Sequence, residues 1–226
     1  MTASLPISPL RARVALAVGL VCSGMAGIIN QVVWQRGLKV FLGGSETLSS
    51  MMVVLVFLLG LGAGAALASG WAARSKNPMR ALAGLELGLV AANALVALLL
   101  GLDLSETVYA VQRVAMAAGV PPRALYALGA ALVLLPPTLL MGATMPVASE
   151  AAQRQLGASD RRLVPVLFFI NTAGAAGGAL VASLWLLPWH GQMAALIGAM
   201  SFNGVAALVI GLAGWLPGVS VRETPT

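Results

Sequence analysis

Long apolar runs alternate with short polar stretches along the whole chain. Six runs have the roughly 20 mostly apolar residues that a membrane-spanning helix needs. They lie at about residues 14–34, 48–72, 80–101, 124–148, 163–187 and 192–214. The pattern predicts an all-α, polytopic membrane helical bundle with six spans. A cytoplasmic segment (1–13) precedes the bundle, and a short cytoplasmic tail (216–226) follows it.

The stretch at about 103–119, between the third and fourth spans, is less apolar. Asp103, Glu106 and Arg113 interrupt it, while apolar residues recur at helical spacing. This pattern is typical of an amphipathic helix that lies in the membrane interface. A seventh span at this position remains the alternative.

Composition supports a membrane protein. The 226 residues are 59% hydrophobic and only 9% charged, with a mean hydropathy of +0.94. So few charges could not cover the surface of a soluble domain of this length, so the main surroundings are the lipid bilayer. The net charge of +6 comes from basic residues between the apolar runs, which argues against nucleic acid as a partner.

The distribution of lysine and arginine predicts the orientation of the six spans. With the N-terminus inside, nine of the 13 basic residues lie in inside segments and four lie outside. Inside segments of membrane proteins carry the excess of positive charge. Both termini are therefore predicted to be cytoplasmic.

Small residues recur in two helices, which points to an internal repeat. Gly60 and Gly64 match Gly174 and Gly178 at an offset of 114, and each pair shares one helix face suited to close packing. The third and sixth spans also match, at an offset of 110. Three spans per unit would make two inverted three-helix units, resembling half of a major-facilitator (MFS) transporter. Chance identity between Gly/Ala-rich helices is the alternative.

Three polar residues are predicted to lie in one layer within the membrane. At about 1.5 Å per residue, Glu86 and Thr144 lie about 9 Å from the cytoplasmic ends of their spans, and Asn171 about 13 Å. A carboxylate at that depth indicates either a cation or proton site or a hydrogen bond that holds helices together.

The fourth span contains a predicted helix break. Pro136, Pro137 and Pro146 remove backbone donors, and Gly142 adds backbone freedom. This segment is expected to bend or unwind locally. Exposed carbonyls would then line a cavity, or the bend would serve packing alone.

No arrangement of residues indicates catalysis. The chain has one histidine, one cysteine and no paired carboxylates at usable spacing. We therefore expect neither a cofactor nor a metal, and no enzymatic activity of this chain by itself.

Several motifs together resemble one protein family. They are residues 23–26 (SGMA), 29–36 (INQVVWQR), 86–88 (ELG), 137–146 (PTLLMGATMP) and 170–175 (INTAGA). In this order they resemble the membrane domain of the bacterial integral-membrane spermidine-synthase-like proteins, often described as fused MFS/spermidine synthases. The resemblance implies the bacterial inner membrane. The family's C-terminal aminopropyltransferase domain has no counterpart here, and Asn30 stands where members commonly carry Tyr.

Three functions follow as hypotheses. The first is a non-catalytic membrane subunit or anchor, which forms a homo-oligomer or binds a partner membrane or soluble subunit. The second is a half-MFS-like transporter of a small solute, such as a polyamine, that works as a dimer. The third is a small subunit of a larger membrane redox or photosynthetic assembly.

Overall fold

The computed structural model describes residues 9–41, 46–102, 105–156 and 162–215, and all regular elements in these ranges are helical. They are α1 (Pro9–Phe41), α2 (Glu46–Arg74), α3 (Pro78–Gly101), α4 (Ser105–Ala117), α5 (Pro122–Leu156), α6 (Leu163–Val181), a π-helical segment (Ala182–His190) and α7 (Gly191–Trp215). The prediction of an all-helical bundle is confirmed. The predicted tail at 216–226 lies outside the described residues, and residues 9–13 belong to α1.

Five helical stretches of the described chain are long and apolar enough to cross a membrane. They are Leu10–Leu38, Ser50–Arg74, Pro78–Leu99, Ala127–Leu156 and Leu163–Trp215. Large apolar side chains on their outer faces are solvent-accessible in the isolated chain, with Leu67 76% and Phe169 72% exposed. Such a surface suits lipid, so the protein is a multi-pass helical membrane protein.

The last of these stretches, 53 residues long, contains a reversal of chain direction. Gly174 on α6 packs against Val21 of α1, and Gly19 of α1 packs against Ile210 of α7. Positions 174 and 210 therefore lie at one level of α1, which a straight helix could not achieve. The reversal occurs at Gly191, whose φ of 79° is a left-handed conformation that glycine adopts without strain.

Glycines bring two pairs of helices into backbone contact. A side chain at Gly174 or Gly178 of α6 would collide with the backbone of Val21 or Met25 of α1, and one at Gly64 of α2 would collide with the Leu139 carbonyl of α5. Gly60 of α2 likewise faces Thr138 of α5. The order of these contacts shows that α1 runs parallel to α6 and α2 parallel to α5.

Helices α3 and α7 form a third close pair and run antiparallel. Gly101 at the end of α3 faces Met193 near the start of α7, while Gly211 near the end of α7 faces Ala83 of α3. A Cβ at Gly101 would lie 3.7 Å from the Met193 Cε, and one at Gly211 would lie 3.5 Å from the Ala83 Cβ. Both are ordinary van der Waals contacts.

The predicted unwinding of the fourth span is absent, because α5 is helical from Pro122 to Leu156 through all three prolines. The Thr138 hydroxyl follows Pro136 and Pro137 and donates to the Leu134 and Leu135 carbonyls at 2.9 Å. Gly142 lets α5 approach the backbone of Leu61. These hydrogen bonds reinforce the turn that contains the two prolines, and close packing on α2 accompanies a helix that continues through all three. The irregular backbone lies instead in the π-helical segment, which contains Pro188.

One end of the bundle is held by arginine side chains, and we call it the basic end (Arg74, Arg80 and Arg154). Arg154 at the end of α5 donates to the Ala73 and Ser75 carbonyls at 2.7 Å. Arg80 and Asn77 both donate to the Gly214 carbonyl of α7 at 3.3 Å. The turn between α2 and α3 therefore ties together the ends of α2, α5 and α7.

The opposite end contains α4, and we call it the α4 end (residues 35–38, 98–102 and 105–121). Helix α4 has 13 residues and is too short to span a bilayer. Tyr109, Val114 and Met116 are more than half exposed, while Ala115 is buried. Helix α4 thus presents an apolar surface beyond its contact with the bundle, as a helix in the interface does.

Candidate functional site

The most deeply buried ionisable group among the described residues is Glu86 of α3. Its side chain is 0% exposed, and its Oε2 accepts a hydrogen bond of 2.7 Å from Nδ2 of Asn203 on α7. Asn203 is also 0% exposed. Because burying a carboxylate without a partner is costly, this hydrogen bond is the main direct compensation that the bundle provides.

A second helix, α1, reaches the same carboxylate. Ser23 lies beside Glu86 and interacts with it. The Cys22 thiol is also close enough to interact electrostatically with the carboxylate. Even so, Oε1 of Glu86 has no partner with hydrogen-bond geometry within the described ranges, and the same holds for Oδ1 of Asn203. The site therefore has unused hydrogen-bonding capacity next to its carboxylate.

This polar group lies at the boundary between two apolar clusters of the core. One cluster extends toward the basic end and includes Leu16, Leu20, Met79, Leu82, Val147, Leu167 and Ile210. The other extends toward the α4 end and includes Ala26, Ile29, Val33, Leu89, Val96, Met141, Leu186 and Leu196. Glu86 and Asn203 are each flanked in sequence by members of both clusters. The carboxylate thus lies in a polar layer near the middle of the bundle.

Thr144 and Asn171, the residues predicted to accompany Glu86, are also placed along their helices where the two clusters meet. Thr144 is 5% exposed, but its hydroxyl donates to the Met141 carbonyl of its own helix at 2.7 Å. Asn171 is half-buried, and its backbone carbonyl faces Gly24 of α1. The hydrogen bond that Glu86 receives comes from Asn203 of α7.

Sequence reasoning left Asn203 out of the predicted cluster, although a signal was present. Asn203 is the one amide side chain in the middle of the sixth span, and it matches Asn93 of the third span at the offset of 110. A polar residue at that depth normally faces the bundle interior. Depth estimates alone could not identify the partner of Glu86, because they ignore how α7 is rotated about its axis.

Three further polar residues are buried toward the α4 end. Asn30 and Trp34 of α1 and Asn93 of α3 are at most 1% exposed. Asn93 donates to the Leu89 carbonyl at 2.9 Å. Its Oδ1, both polar atoms of the Asn30 side chain and Nε1 of Trp34 have no hydrogen-bond partner within the described ranges.

No metal centre is formed by the described residues, since no three His, Cys, Asp or Glu side chains in these ranges could hold a metal ion. The arrangement can bind a cation or exchange a proton at one carboxylate.

Comparison with protein family models, with curated proteins and with solved structures finds no match to this chain.

Proposed function

We propose that the protein is a membrane transporter of a small cationic solute, and that Glu86 is the group that binds the transported or coupled cation. The proposal rests on the burial and the incomplete hydrogen bonding of this carboxylate. It is 0% exposed, has one oxygen bonded to Asn203 and has the other oxygen unpartnered among the described residues. Ionisable groups at membrane depth mark ion pathways and proton relays.

The helix contacts support a six-span plan of two inverted units, α1–α3 and α5–α7. The contact of Gly64 with Leu139 and the contact of Gly178 with Met25 are related by the offset of 114 at both residues. The offset of 110 relates Gly101–Met193 to Gly211–Ala83 in the same way. Matched contacts of this kind are what an inverted repeat produces, so they favour a repeat over chance identity in Gly/Ala-rich sequences.

Inverted repeats bear on function, because transporters of this plan bind their substrate near the midplane where the repeats meet. Glu86 and Asn203 come from the corresponding helices α3 and α7, one in each unit. The resemblance to the membrane domain of spermidine-synthase-like proteins supports a polyamine as the solute and the bacterial inner membrane as the location. A single buried carboxylate among the described residues of each chain favours a dimer when the solute carries several positive charges.

Flux through purified protein in liposomes tests the proposal. Uptake of spermidine, potassium ions and protons is measured in parallel, each against protein-free liposomes. We expect at least one of them to enter faster than the protein-free control, in a gradient-dependent manner. If none of the three moves faster with protein present, transport of a small cation is contradicted.

A second candidate is a membrane subunit that holds a soluble or membrane partner. It is favoured by the ordered surface at the basic end, where Arg80 and Asn77 hold the end of α7 and Arg154 holds the turn after α2. Purification in mild detergent, followed by mass spectrometry, distinguishes the two. A stoichiometric partner together with absent flux would favour the subunit.

A further inference from the structure

Beyond the carboxylate, buried polar side chains without hydrogen-bond partners continue along α1 and α3. Asn30 is seven residues beyond Ser23 on α1, and Asn93 is seven residues beyond Glu86 on α3. Seven residues are close to two helical turns, so each asparagine lies near the same helix face and about 10 Å further along. Trp34 follows Asn30 by one more turn.

Both asparagines lie on the side of the carboxylate that faces the α4 end. Helices α1 and α3 run in the same direction, because Leu16 and Leu20 share one core cluster with Met79 and Leu82. The later residues of both helices, including Val33 and Val96, share the other cluster. Asn30 and Asn93 therefore continue the polar layer of Ser23 and Glu86 toward one end only.

Hydrogen bonding gives this group of residues a physical role. Seven buried side-chain polar atoms in the described chain have no partner, and six of them belong to Asn30, Trp34, Glu86, Asn93 and Asn203. Buried polar groups are nearly always paired, and a buried water, with about three hydrogen bonds, is the usual partner where the protein supplies none. Side chains of this kind would hold a short chain of water molecules.

The other side of Glu86 is different. Two turns toward the basic end, α3 carries Met79, which is 0% exposed and packs in the apolar cluster with Leu20 and Ile210. The buried polar side chains of the described chain lie at the level of Glu86 or toward the α4 end, and the one unpartnered atom on the basic side is Oε1 of Gln155 at the end of α5. Cys22 is the one other titratable side chain described beside the carboxylate. Among the described residues, no buried polar side chain between the level of Glu86 and Gln155 offers water a partner.

We propose that Asn30, Asn93 and Trp34 orient a file of water that carries protons between Glu86 and the α4 end, while the apolar cluster closes the path to the basic end. The proton leaves the Glu86 carboxyl for the adjacent water, successive waters relay it, and the carboxylate left behind keeps its hydrogen bond from Asn203. This inference rests on the proposed function, and it identifies the proton as the transported or coupled ion.

Infrared spectroscopy of the full chain in lipid tests the file directly. The carboxyl C=O stretch that disappears in Glu86→Gln is assigned to Glu86, and its shift is timed after a change to D₂O. Asn93→Leu removes the polar atom on the proposed path, whereas Met79→Leu is the matched control seven residues away on the closed side. Asn93→Ser, which keeps a polar group, serves as the rescue.

We expect Asn93→Leu to slow the exchange at least about tenfold, which corresponds to a barrier higher by about 1.4 kcal/mol. Met79→Leu should leave the exchange rate unchanged, and Asn93→Ser should restore most of it. Asn30→Leu gives an independent test if Asn93→Leu does not fold. Equal exchange in Asn93→Leu and Met79→Leu would overturn the file, as would the absence of an assignable Glu86 band at every pH.

The two proposals fail in different ways. If the Glu86 carboxyl exchanges quickly with D₂O in a manner that depends on Asn93, but the protein shows no flux, the water file is supported and transport is contradicted. Flux that depends on Glu86, with exchange indifferent to Asn93→Leu, would contradict the file and leave transport standing.

Discussion

Glu86 is fully buried, where an ionised carboxylate has a high free-energy cost, and it accepts a short hydrogen bond from Asn203. Asn203 can donate to it from α7 only if α3 and α7 keep their antiparallel register. The pair therefore contributes to helix association as well as to the chemistry of the site. The buried Oε1 has no hydrogen-bond partner among the described residues, so it can still interact with a cation, a proton or water.

Replacing Glu86 and Asn203 by apolar residues, singly and together, measures the interaction energy between their side chains. The double-mutant cycle uses Glu86→Met, Asn203→Leu and both together, with stability followed by unfolding in mixed micelles. We expect a coupling energy of about 0.6–1.7 kcal/mol, from the average to the maximum found by double-mutant cycles for hydrogen bonds between membrane helices. Ser201→Ala is the control, since its hydroxyl bonds within α7 to Ile197. A coupling of Glu86 with Asn203 no larger than with Ser201 would contradict the pairing.

At the scale of the helices, glycine decides which faces meet. Gly64 and Gly178 have no room for a Cβ, whereas Gly62 and Gly177 have no neighbouring atom within 4 Å of that position. Gly64 and Gly178 therefore each have an open glycine one or two residues away in the same helix. The helices thus supply their own controls.

Substitution of these glycines by alanine separates packing from helix propensity. Gly64→Ala and Gly178→Ala should each destabilise the bundle by about 1–3 kcal/mol, because the new methyl group meets a backbone carbonyl. Gly62→Ala and Gly177→Ala should be neutral or stabilising, since alanine favours helix. Thermal unfolding followed by fluorescence-detected gel filtration measures all four. Equal losses at open and close-packed positions would contradict the helix pairs.

The sequence predicted the helices well but not all of their details. Apolar runs locate helices because backbone groups in lipid must be paired within the segment. The same rule explains why α5 continues through Pro136 and Pro137, which local propensity opposes. The π-helical segment carries no comparable signal, because its residues are as apolar as those of the neighbouring α-helices.

At the scale of the whole molecule, the distribution of positive charge predicts the orientation in the membrane. The basic end carries Arg74, Arg80 and Arg154, which bond to backbone carbonyls or flank the turn between α2 and α3. The positive-inside rule predicts that this end is cytoplasmic and that α4 lies outside. A seven-span topology would put the segment after α5 outside instead.

Cysteine labelling in intact cells tests this orientation in a Cys22→Ala background. Lys76 and Ala118 are exposed and lie at the basic end and the α4 end, respectively. A membrane-impermeant thiol reagent should label Ala118→Cys in intact cells and Lys76→Cys only after permeabilisation. The reverse pattern would invert the orientation. Labelling of both in intact cells would contradict a six-span bundle with these ends on opposite sides.

The sequence predicted least well which side chains of different helices contact one another. Depth along a helix follows from residue counting, so Glu86, Thr144 and Asn171 were expected near one level. Rotation of each helix about its axis depends on packing, and the glycine contacts that set it are visible only in three dimensions. Asn203 was therefore identified as a partner by the structure rather than by the depth estimate.

The most direct test of the central claim compares two glutamate-to-glutamine changes in the same flux assay. Glu86→Gln neutralises the buried carboxylate, while Glu150→Gln neutralises a partly exposed one that pairs with Arg154 on the surface of α5. We predict that cation or proton flux falls at least about tenfold in Glu86→Gln, a loss of about 1.4 kcal/mol or more, and stays near the native rate in Glu150→Gln. Native flux in a well-folded Glu86→Gln protein would contradict the assignment of Glu86 as the transport site.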